Sequence, residues 1–385
     1  MSWTICTLND ICDKVNGHIQ TGPFGSQLHQ SDYSKTGTPV VMPKDIVNGT
    51  ISEENIARIS DEHVLRLSRH QVKTGDILFS RRGDVGRCAY VSKKEQGWLC
   101  GTGCLRVTVD TEIADSKFIF YYLQQSSSVG WIEKHAIGAT MLNLNTGILA
   151  NVPIMLPSLP AQHRIASILS AYDDLIENNQ KQIKLLEEAA QRLYKEWFVD
   201  LRFPGWENTK IVDGVPEGWH IGLLSELISV NYGKDHKKVP NTGDIPVYGS
   251  GGIMRKCNKS LYSGESVLIP RKGSLNNIMY VNESFWTVDT LFFTIPQKAH
   301  SAIFTYFFVS GIDMYSFNIG AAVPSMTVKI LDNLSLVIPD SSFFEKFDMF
   351  VQPYFKKIKL LRKENHSLTT CRNNLLYHLF RSEHT

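Results

Sequence analysis

The 385-residue chain lacks the short motifs that identify most nucleotide-binding and hydrolytic enzymes. It contains no G-x-x-x-x-G-K-[ST] phosphate loop, no H-E-x-x-H zinc motif and no glycine-rich turn of the dinucleotide-binding kind. Its histidines, among them His63, His70 and His163, are scattered without a matching nucleophile. No catalytic residue is therefore assigned, and a nuclease or methyltransferase acting alone is nearly excluded.

Membrane, metal and charge signals are also weak. No apolar run approaches the ~18 residues of a membrane span, and the first ten residues have no basic segment before an apolar one, so we expect a cytoplasmic protein. The seven cysteines are scattered, and Cys100 and Cys104 have no second pair, so no metal site is expected. The net charge of +2 permits DNA binding only if basic residues gather on one face.

A seven-residue apolar repeat between Pro160 and Phe198 predicts a coiled-coil helix too long for one compact domain. A second such helix is predicted at the C-terminus, where Pro353 should kink it or delay its start. A polar residue at a seam position usually fixes register and partner, although such a position can also simply be wet. The predicted seam consists of Ile165, Tyr172, Asn179, Leu186, Leu193, Tyr354, Leu361, Leu368 and Leu375.

Two carboxylates on the first of these helices, Asp173 and Asp174, are adjacent in sequence. Neighbouring residues on a helix point about 100° apart and do not share a site. We therefore expect both to be solvated helix charges rather than a catalytic pair.

Outside the helices the chain repeats itself. The segment GDILFSRRGDVGRCAYV matches GESVLIPRKGSLNNIMYV, and Gly138-Ala139 recurs as Gly320-Ala321. The first copy is longer, mostly between Pro43 and His70. The expected fold is α/β (α+β), with two pseudo-repeated modules that share a scaffold but differ in surface. The expected boundaries are 1–158 and 219–340 for the modules, 159–201 and 341–385 for the helices, and 202–218 for a linker.

Polar and basic turns form the candidate binding surface. Arg81-Arg82-Gly83 and Arg271-Lys272-Gly273 occupy the same repeat position, each after a strand. Arginine makes the commonest specific contact with guanine, whereas contacts with phosphate only position a protein on DNA. An ordinary charged hairpin turn is an equally good interpretation. The candidate DNA-binding residues are Gln20, Ser26, Gln27, Lys44, Arg81, Arg82, Thr140 and Asn143 in the first module, and Lys237, Lys238, Tyr248, Ser250, Arg255, Arg271 and Lys272 in the second.

Several longer segments resemble the specificity (S) subunits of type I restriction-modification systems. They are TGPFGSQL from Thr21, LPSLPAQHRIASIL from Leu156, LYKEWFVDLRFPG from Leu193 and VPEGW from Val215. The resemblance covers essentially the whole chain, including the order module, helix, module, helix.

The resemblance implies a non-catalytic subunit with two target-recognition domains, each of which reads half of a bipartite site in double-stranded DNA. The long helices would lie antiparallel and act as a ruler between them. Adenine N6 methylation with S-adenosylmethionine would belong to two modification subunits. Cleavage, with ATP and Mg, would belong to restriction subunits, so this chain would bind no cofactor. The alternative function is a coiled-coil adaptor that binds protein and has no DNA specificity.

Overall fold

The computed structural model describes residues 3–13, 19–320 and 323–381, so Ala321 of the sequence repeat lies outside the described part. The chain divides into two compact units. The first comprises 1–178 and 364–385, and the second comprises 179–363. Each long helix therefore contributes residues to both units. In the described part of the chain, no helix is long and apolar enough to cross a membrane.

Short strands and four helices build the first unit before the long helices begin. The strands are β1 (Thr4–Thr7), β2 (Ile19–Thr21), β3 (Tyr33–Ser34), β4 (Thr38–Val41), β5 (Ile46–Val47), β6 (Thr50–Ile51), β7 (Ala57–Ile59), β8 (Ile77–Ser80), β9 (Cys88–Tyr90), β10 (Leu99–Cys100), β11 (Cys104–Val107) and β12 (Pro153–Leu156). The helices are α1 (Asp61–Arg66), α2 (Ser116–Leu123), α3 (Ser126–His135) and α4 (Thr146–Ala150).

The central sheet of the first unit has the antiparallel order β2-β11-β8-β9, and β1 pairs with β12 beside it. Strand β8 is buried on both faces, which suits its apolar sequence. One face contributes Phe79 to a core that includes Phe118 of α2 and Phe380 of the last helix. The other face contributes Leu78 to a second core with Val41, Ile46 and Ile51, and a separate sheet has the order β10-β4-β7-β3.

The second unit repeats this framework. Its strands are β13 (Ile211–Val212), β14 (Val215–Pro216), β15 (His220–Leu223), β16 (Ile228–Tyr232), β17 (Ile245–Gly249), β18 (Gly252–Cys257), β19 (Tyr262–Pro270), β20 (Met279–Thr287), β21 (Leu291–Pro296) and β22 (Ser335–Ile338). The order β16-β21-β19-β20 reproduces that of the first unit, and β15 pairs with β22 as β1 does with β12. Here the addition is the hairpin β17-β18, whose first strand runs parallel to β20.

Four helices complete the chain: α5 (Leu159–Tyr194), α6 (Ala302–Ser310), α7 (Val328–Asp332) and α8 (Ser341–Arg381). A π-helical turn, Lys195–Val199, ends α5. The expectation that Pro353 delays the last helix is wrong, because α8 begins at Ser341 and continues through the proline. Pro353 is exposed, while Phe344, Phe347 and Val351 before it are buried, so packing outweighs the hydrogen bond that proline removes.

Within each unit the long helices run antiparallel. Arg372 pairs with Asp173 in the first unit, and Arg362 pairs with Glu187 in the second. All nine predicted seam residues are buried or half-buried, and Asn179 is only 5% exposed. Asp174 is exposed as expected, but Asp173 is not a freely solvated charge, because it is bound by Arg372. The predicted α/β class, with repeated modules and two long antiparallel helices, is confirmed.

Candidate nucleic-acid interface

In the first unit, the residues after β8 form a turn that is held on both sides by backbone hydrogen bonds. The Arg81 N–H donates to the Gly103 carbonyl at 2.8 Å, and the Arg81 carbonyl accepts from the Leu144 N–H at 2.8 Å. The N–H of Gly83 donates to the Leu142 carbonyl at 3.0 Å. Gly83 has a φ of 76°, a conformation that favours glycine. We call residues 81–83 the arginine turn of the first module.

The arginine turn contacts a closed loop, residues 137–143, which we call the glycine loop. Ile137 and Asn143 exchange backbone hydrogen bonds of 3.0 and 2.8 Å across its base. Gly138 has a φ of 127°, and a Cβ there would lie 2.2 Å from the Met141 carbonyl oxygen. Asn143 also bridges to Arg82 of the arginine turn. The structure thus brings four predicted residues together: Arg81, Arg82, Thr140 and Asn143.

The second unit builds the same arrangement. The Arg271 N–H donates to the Thr290 carbonyl at 2.8 Å, and the Arg271 carbonyl accepts from the Met326 N–H at 2.9 Å. The N–H of Gly273 donates to the Pro324 carbonyl at 3.1 Å, and Lys272 bridges to Ser325. Residues 271–273 are therefore the arginine turn of the second module, and the described residues 319, 320 and 323–325 belong to its glycine loop.

An exposed aromatic ring lies beneath each arginine. The guanidinium of Arg81 is 5.9 Å from the ring centroid of Phe24, and that of Arg271 is 5.5 Å from Tyr232. Both rings are 54% exposed. Cation–π contacts of this kind restrict a long side chain without using its hydrogen-bond donors. Both guanidinium groups are oriented in this way, and Nη1 of Arg271 also donates to the Asp289 carbonyl at 3.0 Å.

Sequence reasoning missed both aromatic residues. Phe24 lies within TGPFGSQL, so its neighbours Ser26 and Gln27 were the only signal. Gln27 accepts a 3.1 Å hydrogen bond from the Phe24 N–H and so shapes this loop, while Ser26 is exposed beside it. Tyr232 gave no sequence signal, because its partner Arg271 is distant along the chain.

Two predicted residues of the first module are engaged in contacts within it. The Gln20 side chain accepts from the Nη2 of Arg106 at 3.2 Å and donates to the Arg69 carbonyl at 3.1 Å. Lys44 is exposed, and its ammonium donates to the Asn55 carbonyl at 3.1 Å. Neither side chain therefore takes part in the hydrogen bonds that hold the arginine turn.

The second module separates its candidates in a similar way. Ser250 lies beside the arginine turn, since a Cβ on Gly273 would be 3.3 Å from its hydroxyl. Tyr248 is 8% exposed and donates to Glu283 at 2.7 Å; burial, followed by that carboxylate, raises the pKa of its phenol. Arg255 donates to the ring of His236 and to the Val239 carbonyl. Lys237 and Lys238 are exposed on the preceding loop.

The described residues contain no group of three or more His, Cys, Asp or Glu side chains arranged to hold a metal ion. Cys100 and Cys104 are buried and free, and burial raises the pKa of the Cys100 thiol to about 12.

Two buried polar atoms lie at the arginine turn and glycine loop of the first module. Within the described part of the chain, Nε of Arg81 and Oδ1 of Asn143 are buried without a hydrogen-bond partner. Such atoms favour a polar ligand.

The family model for the type I restriction modification DNA specificity domain matches residues 2–188 and 216–370. The chain belongs to this family. The two matched segments contain the two modules with their arginine turns, and the predicted resemblance to specificity subunits is confirmed. This specificity subunit is 24% identical to the type I restriction enzyme MjaIX specificity subunit of Methanocaldococcus jannaschii, across 97% of this chain and 91% of that one.

Other relatives give the same picture. A putative type I specificity subunit of Mycoplasma genitalium is 26% identical, over 77% of this chain and 79% of its own length. The crystal structure of a type I restriction-modification S subunit from M. genitalium superimposes with a TM-score of 0.64 and 20% identity, covering 98% of this specificity subunit and 96% of that chain. The specificity subunit therefore shares that fold.

Proposed function

We propose that this specificity subunit recognises a bipartite site in double-stranded DNA, and that each module reads one half through its arginine turn. One observation carries the proposal. Both modules hold an arginine by the same pair of backbone hydrogen bonds, while the residues around it differ. A shared frame with different surroundings suits two readers of different sequences. The long helices set the distance between the two half-sites.

The members of each turn have different roles in this proposal. Arg81 and Arg271 are half-buried and oriented by an aromatic ring, which suits a bidentate contact with a base edge. Arg82 and Lys272 are exposed at the next position, which suits the phosphate backbone. The DNA-facing residues would then combine one base contact and one phosphate contact per module.

The subunit itself is non-catalytic in this proposal and acts in the cytoplasm. Two modification subunits would supply S-adenosylmethionine and methylate adenine N6, and restriction subunits would use ATP and Mg. Family membership supports this division. Two copies of one modification subunit also suit the repeated modules of this chain, because each copy can contact the same position of its module. Ile5 of β1 and Ile221 of β15 occupy equivalent positions and are 75% and 66% exposed.

The decisive experiment expresses the chain with its modification subunit in cells and maps N6-methyladenine across the genome. We expect a split sequence motif. Replacing residues 1–157 with those of a relative should change one half of the motif and preserve the other. A continuous motif, or methylation by the purified chain alone, would overturn the proposal.

A coiled-coil adaptor that binds protein without DNA specificity is the second candidate. The exposed apolar residues of the long helices, such as Leu185 at 64% and Leu360 at 63%, favour it. Gel shifts with random duplex DNA separate the two functions. A DNA-binding subunit should bind at low salt and lose affinity steeply as salt rises, whereas the adaptor should not bind.

A further inference from the structure

Each glycine loop exposes an isoleucine at the same position. Ile137 is 63% exposed in the first module, and Ile319 is 62% exposed in the second. A second apolar side chain follows at equivalent positions, with Met141 at 62% and Val323 at 54% exposure. Two exposed apolar residues beside a basic turn are unusual on a surface proposed to bind a polyanion.

The loop geometry fixes these isoleucines next to the arginine turns. Ile137 is held by reciprocal backbone hydrogen bonds with Asn143, which bridges to Arg82. Ile319 donates to the Ser325 carbonyl at 3.1 Å, and Ser325 bridges to Lys272. An isoleucine side chain is also stiff at χ1 because it branches at Cβ. Each module therefore presents an exposed, β-branched apolar side chain at its proposed DNA surface.

What the modules share should serve a step common to both half-sites, whereas what differs should read their different bases. The isoleucine is identical in both modules, and in each its N–H donates to the carbonyl of the residue that bridges to the arginine turn. It therefore fits a sequence-independent step better than base readout. In the proposed function, the common step is methylation of an adenine in each half-site.

We infer that Ile137 and Ile319 are wedges that enter the base stack beside the adenine to be methylated; this rests on the proposed function. An adenine N6 inside a duplex is out of reach of a methyltransferase, so the base must leave the stack. Apolar side chains inserted between base steps partly unstack them and kink the duplex. The wedge positions DNA for a partner's chemistry and is not itself catalytic.

The alternative role for these side chains is direct contact with a thymine methyl group in the major groove. The two roles differ in a measurable way. A thymine contact is lost when that thymine is replaced by deoxyuridine, and this loss lowers the affinity for DNA. A wedge tolerates deoxyuridine and governs unstacking of the adenine in complexes that are already bound.

The experiment uses the chain assembled with its modification subunit. This complex is added at saturating concentration to unmethylated duplexes that carry the recognition motif. One adenine at a time is replaced by 2-aminopurine, whose fluorescence rises when it unstacks. The variants are Ile137→Ser, the conservative Ile137→Leu and the control Ile113→Ser, which changes a 43% exposed isoleucine outside the site. Affinity and fluorescence are measured on these duplexes. The methylation rate of each half-site is measured on the unsubstituted duplex, because 2-aminopurine has no N6 amino group to accept a methyl group.

We expect Ile137→Ser to abolish the fluorescence rise in one half-site and to slow its methylation about tenfold or more, since unstacking costs a few kcal/mol. Affinity should change less than about threefold, the other half-site should be unaffected, and Ile137→Leu should restore the signal. Wild-type fluorescence in bound Ile137→Ser complexes, or a deoxyuridine effect that disappears in that variant, would overturn the wedge. Failure of the wild-type complex to bind would instead overturn the proposed function.

Discussion

Nη1 of Arg372 lies 2.5 Å from Oδ1 of Asp173, an ion pair that joins the two long helices within the first unit. The other oxygen of this carboxylate accepts a 2.5 Å hydrogen bond from the hydroxyl of Tyr121 in α2. Burial, followed by the neighbouring charge of Asp173, raises the pKa of the Tyr121 phenol. One carboxylate therefore ties the first module to both helices.

Removing this ion pair should destabilise the protein more than removing a similar exposed one. We expect Arg372→Ala to lower the free energy of unfolding by about 1–2 kcal/mol, because both side chains are less than one-third exposed. Arg362→Ala is the matched control. It breaks a pair whose side chains are 63% and 48% exposed and should cost under about 0.5 kcal/mol. Urea unfolding measures both, and equal losses would contradict the expectation.

The two arginines of the first turn should differ in how they affect DNA binding. Arg82→Ala should weaken binding to all sequences and reduce the slope of log affinity against log salt by about one, as expected for one phosphate contact. Arg81→Ala should cost about 1–3 kcal/mol of discrimination at one half-site. The exposed Lys93, changed to Ala, is the control. A uniform effect of Arg81→Ala across DNA sequences would argue against base readout.

Stability should fall as pH is lowered from about 6.5 toward 4 because of His70. Its burial, with the charges of Arg69 and Arg106, lowers its pKa from 6.5 to about 4. Between those values the unfolded chain binds a proton that the native state excludes, so the full contribution exists only above pH 6.5. Loss of this contribution amounts to on the order of 3 kcal/mol. His70→Gln should flatten the pH profile of unfolding, and an unchanged profile would contradict the expectation.

Two glycines of the first module should respond to alanine in opposite ways. Gly138→Ala places a Cβ 2.2 Å from the Met141 carbonyl at a φ of 127°, so it should distort the glycine loop at a cost of about 1–3 kcal/mol. Recognition of one half-site should weaken with it. Gly130 lies in α3 with open space around its Cβ position, so Gly130→Ala should stabilise the protein by about 0.5–1 kcal/mol. Thermal unfolding and methylation assays test the pair.

Lengthening both long helices should move the half-sites apart. Seven residues added after Asn178 and seven after Lys363 preserve the seam's phase and add about 10.5 Å of helix, equivalent to about three base pairs. The methylated motif should keep both halves and gain spacer. Four-residue insertions at the same points break the phase and should abolish methylation. An unchanged spacer in the seven-residue variant would remove the helices from the role of ruler.

The framework of the fold was readable from sequence because its repeat is local. The matching segments around Gly83 and Gly273 indicated two copies of one scaffold, and the sheets have the same strand order. The same pattern placed Arg81 and Arg271 correctly at equivalent turns. Pro353 was misread because its local effect is opposed by the burial of Phe347 and Val351, which depends on tertiary packing.

Contacts between distant segments account for what the sequence did not reveal. Phe24 and Tyr232 are ordinary aromatic residues until the fold brings them beneath arginines. The engagement of Arg255 with His236, and of Tyr248 with Glu283, likewise depends on strand pairing. Nothing in the sequence of the helix around Asp173 indicates that Tyr121 and Arg372 will contact this carboxylate. Residue type and spacing predict where a binding surface lies. They do not predict as readily which of its hydrogen-bond donors remain available to a ligand.

The last helix returns to the first unit, and this limits how the protein can be divided. Leu375, Leu376 and Leu379 pack against the core of that unit, whose buried members include Phe380. A fragment ending at residue 201 would leave this apolar surface bare. Because its own α5 is an antiparallel counterpart of the missing helix, two such fragments could cover one another. Truncation would then turn an intramolecular contact into concentration-dependent self-association.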